Sequence, residues 1–360
     1  GRAKKRTGVS LQQVRRASRQ EGEEELMTQE RVHIIAEAGS NHNGDVKRAI
    51  ELVDIAARSG ADSVKFQLIN PDELYLPGQY EFGHYDIDAV RRQRELDMMS
   101  DDEYRMLNSQ ARGLGIGFSA SIFDVSGLDF LLSLNPPYVK IASTDLNNIR
   151  LLRNVAKATV PIILSTGMSS LQEIERSVDT LTAGGVTELV LMHCVSIYPA
   201  TLEDMNLGFI DTLKELFGLP VGLSDHTGDS LAACVAVAKG VAYVEKHFTT
   251  DRGLAGLDHA HAIVPDELSA YVNDIRRTQR ALTSSGPKVG TRELEVSKRA
   301  RRSLYASRIL HAGSIVGDQD VRVVRPSGPM SASDIDEVVG RRLVVDMAEN
   351  EPFTKAKQRC

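Results

Sequence analysis

Residues 221–249 read VGLSDHTGDSLAACVAVAKGVAYVEKHFT. A short apolar run, VGLSDH (221–226), ends in Ser224, Asp225 and His226. A helical stretch follows and stops at Gly240, where a left-handed residue can close a helix. A second β-branched run, YVEKHFT (243–249), carries Glu245 and His247 at its end. Strand, helix and strand, with polar side chains collected where each strand finishes, is the pattern of a parallel βαβ unit.

The unit repeats outward from this stretch. Strand candidates are VHIIAEAG (32–39), SVKFQLI (63–69), GIGFSAS (115–121), YVKIAS (138–143), PIILSTG (161–167) and LVLMHC (189–194). Between them lie stretches such as DVKRAIELVDIAARSG and SLQEIERSVDTLTAGG, with apolar residues three and four apart; Gly60 and Gly184 are expected to close these helices in left-handed conformation. Eight such strands between about Val32 and Leu282 match the roughly 250 residues of a (β/α)8 TIM barrel. An open doubly wound sheet is the alternative. It lacks its nucleotide fingerprint, because GSNHNG after the first strand has the wrong spacing and polarity for GxGxxG.

Composition bounds the function. The chain has 360 residues, 42% hydrophobic and 26% charged, with a net charge of −6. That length suits two domains, or one barrel with an appendage. No apolar window is long enough to cross a membrane, and the net charge argues against a nucleic-acid surface. Cys194, Cys234 and Cys360 are odd in number and far apart, so no disulfide framework is expected. The chain reads as a soluble protein of a reducing compartment, the cytoplasm. Its first 30 residues open with a basic run that has no apolar core, so they are expected to be a disordered or non-native tail, with Met27 the natural start. The barrel is assigned to 31–284, a polar charged linker to 285–302 and a small, mainly β domain to 303–360, with a brief helix near 331–339.

Barrel active sites sit at the carboxyl ends of the strands. That rule selects Glu37, Asn41 and His42 from the first strand and Lys65 and Gln67 from the second. It adds Ser119 and Ser121, then Lys140, Ser143 and Asp145, then Ser165 and Thr166. The last three strands supply His193, Ser196 and Tyr198; Ser224, Asp225 and His226; and Glu245 and His247. Each has a bland role available, such as Ser165 capping the next helix, but together they converge on one mouth. Lys65 and Lys140 with several hydroxyls suit a phosphate or carboxylate. His226 and His247, on neighbouring strands, could hold one divalent metal with open positions. Glu37 and Asp145 suit sugar hydroxyls or proton transfer. A Schiff-base aldolase using Lys65, Lys140 or Lys246 stays open on these residues alone.

AEAGSNHNGD, VKFQ, YVKIAS, ILSTGMSS, HCVSIYP, GLSDHT and EKHFT, in that order, resemble the sialic acid synthase family. ARRSLYASRILHAGSIV followed by VVRPSGP resembles its carboxyl-terminal antifreeze-like domain. The resemblance covers residues from about 33 to 345. It implies condensation of phosphoenolpyruvate with an open-chain N-acetylmannosamine-type aldehyde to a nine-carbon 2-keto acid. It also implies a divalent metal, manganese first, with magnesium or cobalt as substitutes. His226 and His247 become the metal ligands. Lys65, Lys140, Ser121, Ser143, Ser165, Ser196 and Ser224 become the phosphoenolpyruvate site; Glu37, Gln67, Tyr198 and Asp258 surround the sugar and its aldehyde. Arg325 of VVRPSGP matches an arginine that reaches the partner barrel in a domain-swapped homodimer.

The sequence departs from the family pattern at Asp145, where glutamate is usual, at Ser196 and Ser121, and at GLDH (256–259) in place of GPDH. These departures bear on the sugar, so a legionaminic or pseudaminic acid synthase acting on a diacetamido-trideoxyhexose, or a spore-coat polysaccharide homologue, is the alternative. Neither nucleic acid nor membrane is an expected partner.

Overall fold

The computed structural model describes residues 31–76, 78, 86–283 and 289–359. The tail assigned to 1–30 lies outside the described residues. The chain divides into two compact units between Thr283 and Ser284.

The first unit is a closed parallel barrel. Its strands, in spatial and sequence order, are β1 His33–Gly39, β2 Ser63–Leu68, β3 Gly117–Ile122, β4 Val139–Ile141, β5 Ile162–Ser165, β6 Leu189–Cys194, β7 Val221–Asp225 and β8 Tyr243–His247, with β8 pairing back to β1. Closure removes both sheet edges and excludes the open doubly wound alternative. Several of the intervening helices start where side chains accept from the free backbone amides of the first turn. Asp45 caps Val46–Arg58, and Ser170 with Glu173 forms a capping box on Leu171–Ala183. Val46–Arg58 buries Ala49, Leu52, Val53, Ile55 and Ala56 on one face, and this apolar stripe seals it to the barrel.

Gly60 and Gly240 are left-handed, with φ of +82° and +76°. The expectation fails at Gly184, which stays helical at φ −81°, while Gly185 takes the left-handed turn at φ +108°. Two successive glycines made the turn position ambiguous. An added Cβ on Gly184 would lie 2.3 Å from the Ala156 Cβ, so close packing explains the first of the pair.

Alternate residues of each strand face into the barrel. The floor is apolar, built from Ile35, Tyr138, Ile163, Val190 and Met192 with Tyr243 against them. Gly222 belongs to this layer because a Cβ there would meet the Met192 Sδ at 2.3 Å. One pleat further along each strand the inward side chains become polar, and the site begins.

The second unit pairs β9 Ser303–Ala306 with β10 Val321–Val324, and β11 Arg342–Leu343 with β12 Gln358–Arg359, both antiparallel. Leu304, Ala306, Leu310, Val316, Met330, Val338, Leu343, Met347 and Phe353 form its own core. Residues Ala332–Glu337 are a 3-10 turn, the brief helix expected near 331–339. The stretch read as a linker contains a helix, Thr291–Ala300, with no buried residue.

Candidate active site

Strand register places the charged residues side by side. Glu37 is the Cα partner of both Lys65 and His247. Ser121 pairs with Gln67 and with Lys140, and Ser224 pairs with Glu245. Their side chains line a cavity of about 490 Å³ at the carboxyl ends of the strands, together with Ser143, Ser165, Ser196, Tyr198 and His226.

Two ammonium groups share two carboxylates at its base. Lys65 Nζ lies 2.7 Å from Glu37 Oε2 and 3.6 Å from Glu245 Oε2, and donates to Ser121 Oγ at 2.8 Å. Lys140 Nζ donates to both oxygens of Glu245 at 3.0 Å. Ser224 Oγ donates to Glu245 Oε1 at 3.0 Å, and Gln67 Nε2 to Glu37 Oε1 at 3.2 Å. Burial works against ionising Glu245, yet Lys140 and Lys65 override it and hold the carboxyl far below its usual range. Glu37 goes the other way: burial, only partly offset by Lys65, pushes it up to about 7. Near neutral pH Glu37 is therefore part-protonated; burial lowers Lys140, while Glu245 and Glu37 outweigh burial and raise Lys65. Two buried lysines enclosed in low dielectric beside a carboxyl poised near neutrality suit an anionic ligand.

Hydroxyls surround the lysines. Gly167 N donates to Ser143 Oγ at 3.0 Å, and a Cβ on Gly167 would sit 2.5 Å from Ser196 Oγ and 2.8 Å from Ser143 Oγ. Only glycine lets the two serines converge there. Ser165 Oγ is buried without a partner, and the helix that follows is capped by Ser170 instead. Ser165 is thus available to a ligand.

The two imidazoles adjoin this cluster, ring centroids 5.6 Å apart, with His226 Nε2 3.4 Å from Ser224 Oγ and Tyr198 4.1 Å from His226. His226 Nδ1 donates to the Val195 carbonyl at 2.7 Å, which leaves Nε2 with the lone pair. Burial pushes His247 down to about 3 and lowers His226 as well, so both are neutral at physiological pH, the state a metal requires. Among the described residues no group of three or more His, Cys, Asp or Glu forms a metal cage. His247 Nδ1 is buried without a partner, so the pair can offer two neutral nitrogens to a cation that keeps open positions.

The structure departs from several sequence expectations. Lys246 is not in the mouth: it faces outward, paired with Asp225 at 3.2 Å beneath the helix Pro265–Leu282, and so cannot be a Schiff-base nucleophile there. Strand phase explains it, since its neighbours Glu245 and His247 point inward. Asp145 is not among the cavity-lining residues; its carboxylate accepts from Thr144 and Asn148, both at 3.0 Å, in the 3-10 turn after β4. His193 bonds the Met205 carbonyl at 2.6 Å and packs on Phe209, away from the mouth. His259 uses both ring nitrogens on Thr249 and Asn43 to shape its loop. Asp258 stands near Gln67 and Glu37 around Gly39, with one buried oxygen unpartnered. Arg325 is an exposed residue of the second unit. Glu245, named only as a strand end, proves to be the counter-ion both lysines share; its place in sequence two residues before His247, in phase with it, was the available signal.

A model of the NeuB family matches residues 52–286, and one of the SAF domain matches 301–357. The chain is 37% identical over 324 residues to an N,N'-diacetyllegionaminic acid synthase of Legionella pneumophila, covering 88% of this chain and 91% of that one. It is 32% identical over 352 residues to an N-acetylneuraminate-9-phosphate synthase of Drosophila melanogaster, covering 89% and 94%. The crystal structure of a sialic acid synthetase from Leptospira borgpetersenii superposes with a TM-score of 0.67 at 34% identity, over 74% of this chain and 90% of that one.

Proposed function

The chain belongs to the NeuB family, and on that premise we propose that it condenses phosphoenolpyruvate with the open-chain aldehyde of an N-acetylmannosamine-type sugar. The products are a nine-carbon 2-keto acid and inorganic phosphate. The observation that carries this reading is the cavity itself, where two buried lysines, a set of hydroxyls and a pair of neutral imidazoles share one enclosed volume.

Lys65 and Lys140 bind the phosphate and carboxylate of phosphoenolpyruvate, with Ser121, Ser143, Ser165, Ser196 and Ser224 donating to their oxygens. This is preorganised charge stabilisation by groups already in place before the substrate arrives. The enol C3 forms the new bond to the aldehyde carbon, and the aldehyde oxygen takes up a proton. Water then adds at C2 and loses a proton, and the C2–O bond to phosphate breaks to leave the ketone. Glu37, poised near neutrality, is the group that holds or releases the proton. Gln67, Tyr198 and Asp258 orient the sugar. A divalent cation held by His226 and His247, manganese by preference with magnesium or cobalt as substitutes, supplies Lewis-acid polarisation of the aldehyde when bound.

A diacetamido-trideoxyhexose is the second substrate reading, favoured by the Legionella relative. Domain swapping in a homodimer, with Arg325 reaching the partner's sugar, and action in the cytoplasm belong to the same proposal. The test is manganese-dependent phosphate release from phosphoenolpyruvate with N-acetylmannosamine, its 6-phosphate and 2,4-diacetamido-2,4,6-trideoxymannose. Turnover with one of them assigns the sugar; no release with any of them overturns the synthase reading.

A further inference from the structure

GLSDHT and EKHFT each contain a charged residue that the chemistry above does not use. Asp225 precedes His226 and Lys246 precedes His247. Period-two alternation turns both away from the cavity while their neighbours turn in. Asp225 and Lys246 are Cα partners at the last paired position of β7, and both are fully buried. His226 lies one residue beyond that position, where no strand ladder holds it.

His226 Nδ1 bonds the Val195 carbonyl and its own carbonyl accepts from Ala200 N, and the outward pair ties down the turn that carries it. Asp225 Oδ1 accepts from Thr227 N at 2.9 Å and Thr227 Oγ1 at 2.7 Å, fixing the turn that carries His226 from its far side. Asp225 Oδ2 accepts from Lys246 Nζ at 3.2 Å and from Tyr271 Oη at 2.8 Å. Lys246 Nζ also donates to the Thr227 carbonyl and stands 5.2 Å over the Tyr271 ring. One ammonium group on β8 therefore holds both ends of the His226 turn on β7, and Tyr271 on the helix Pro265–Leu282 supports it from behind.

We propose that the Asp225–Lys246–Tyr271 network is a positioning device that sets the separation and aim of His226 and His247, and so the affinity and geometry of the divalent cation they hold. This rests on the metal reading above. The residues touch neither substrate nor cation; they act through the backbone of two ligands, as supports behind metal ligands do. Tyr271 matters most for testing, because losing its hydroxyl leaves the ring and the ion pair in place.

The experiment titrates Mn2+ calorimetrically into the full chain, freed of metal by chelation, and records the Co2+ visible spectrum of the same samples with thermal melts. Tyr271→Phe and Thr227→Val are the main variants, and Asp225→Asn and Lys246→Met the more severe ones. The expected result is a Mn2+ Kd weakened about tenfold in Tyr271→Phe, a changed Co2+ band, and larger weakening in whichever severe variant folds. Phosphate binding without metal should stay within twofold, because Lys65 and Lys140 face the other side of the sheet. Variants that melt earlier but keep the parental Mn2+ Kd and Co2+ spectrum overturn the inference and leave a purely structural network. A parent chain that binds no Mn2+ overturns the metal reading itself, and this inference with it.

Discussion

Two buried charge clusters lie back to back across the barrel wall, and they differ in completeness. Outside, Asp225 has four donors in reach, and Lys246 has a carboxylate, a carbonyl and an aromatic face. Inside, Lys65 and Lys140 both depend on Glu245, Glu37 is pushed up to about 7, and Ser165 Oγ has no partner. A fully satisfied polar network specifies a structure; one that keeps an unpartnered hydroxyl and a carboxyl near neutrality is open to a ligand. The same residue types therefore read as architecture on one face of the sheet and as a binding site on the other.

The largest test of that contrast is Lys140→Met. It removes a donor that no neighbour replaces, so phosphate release should fall about a thousandfold while the fold survives. Normal turnover in a folded variant would mean the inner cluster is structural after all. Glu245→Gln comes next. It leaves two buried ammonium groups without their shared counter-ion and should cost about 3 kcal/mol of stability in thermal or urea melts. Inorganic phosphate should restore part of this loss in Glu245→Gln and none of it in Asp225→Asn. Equal behaviour of the two variants would erase the distinction between the clusters.

A smaller effect belongs to His42, which sits in neither cluster. Burial, helped by Arg94 and Arg48, pushes its imidazole down to about 4, and Nδ1 accepts from Gly44 N at 3.1 Å. The folded state holds it neutral while the unfolded chain protonates near 6.5. The stability it contributes is present above 6.5 and is lost as pH falls toward 4, about 2 kcal/mol between pH 7 and 5. His42→Asn, which keeps an acceptor for Gly44 N, should flatten that slope in urea titrations across this range; an unchanged slope would assign the acid sensitivity elsewhere. Smallest is Arg325→Ala, expected to raise KM for the sugar about tenfold and leave that for phosphoenolpyruvate within twofold. Equal changes in both would remove Arg325 from the sugar end.

Much of this is legible in the sequence alone. The strand–helix alternation specified a barrel, and the barrel rule then pointed to Lys65, Lys140, Ser121, Ser165, Ser224, His226 and His247, all of which line one cavity. The departures have two origins, the phase of a strand and a local turn. Strands buried on both faces carry apolar residues throughout, so their sequence shows little of which alternate set faces inward. Lys246 and His193 were placed by position at a strand end, and the phase of the pleat turned them outward. Asp145 was placed by its distance past β4, and a local 3-10 turn gave its carboxylate to Thr144 and Asn148.

By itself, then, the sequence determined the architecture and the chemical types gathered at the mouth, because periodicity and strand-end polarity are written locally. Only the tertiary structure decided which charges meet. Pairing Lys65 with Glu37, both lysines with Glu245, and Lys246 with Asp225 depends on how strands far apart in sequence come together, with Lys140 and Glu245 105 residues apart and Lys65 and Glu245 further still. Whether a buried charge is satisfied or left over follows from that register, and it is what separates a wall from a binding site.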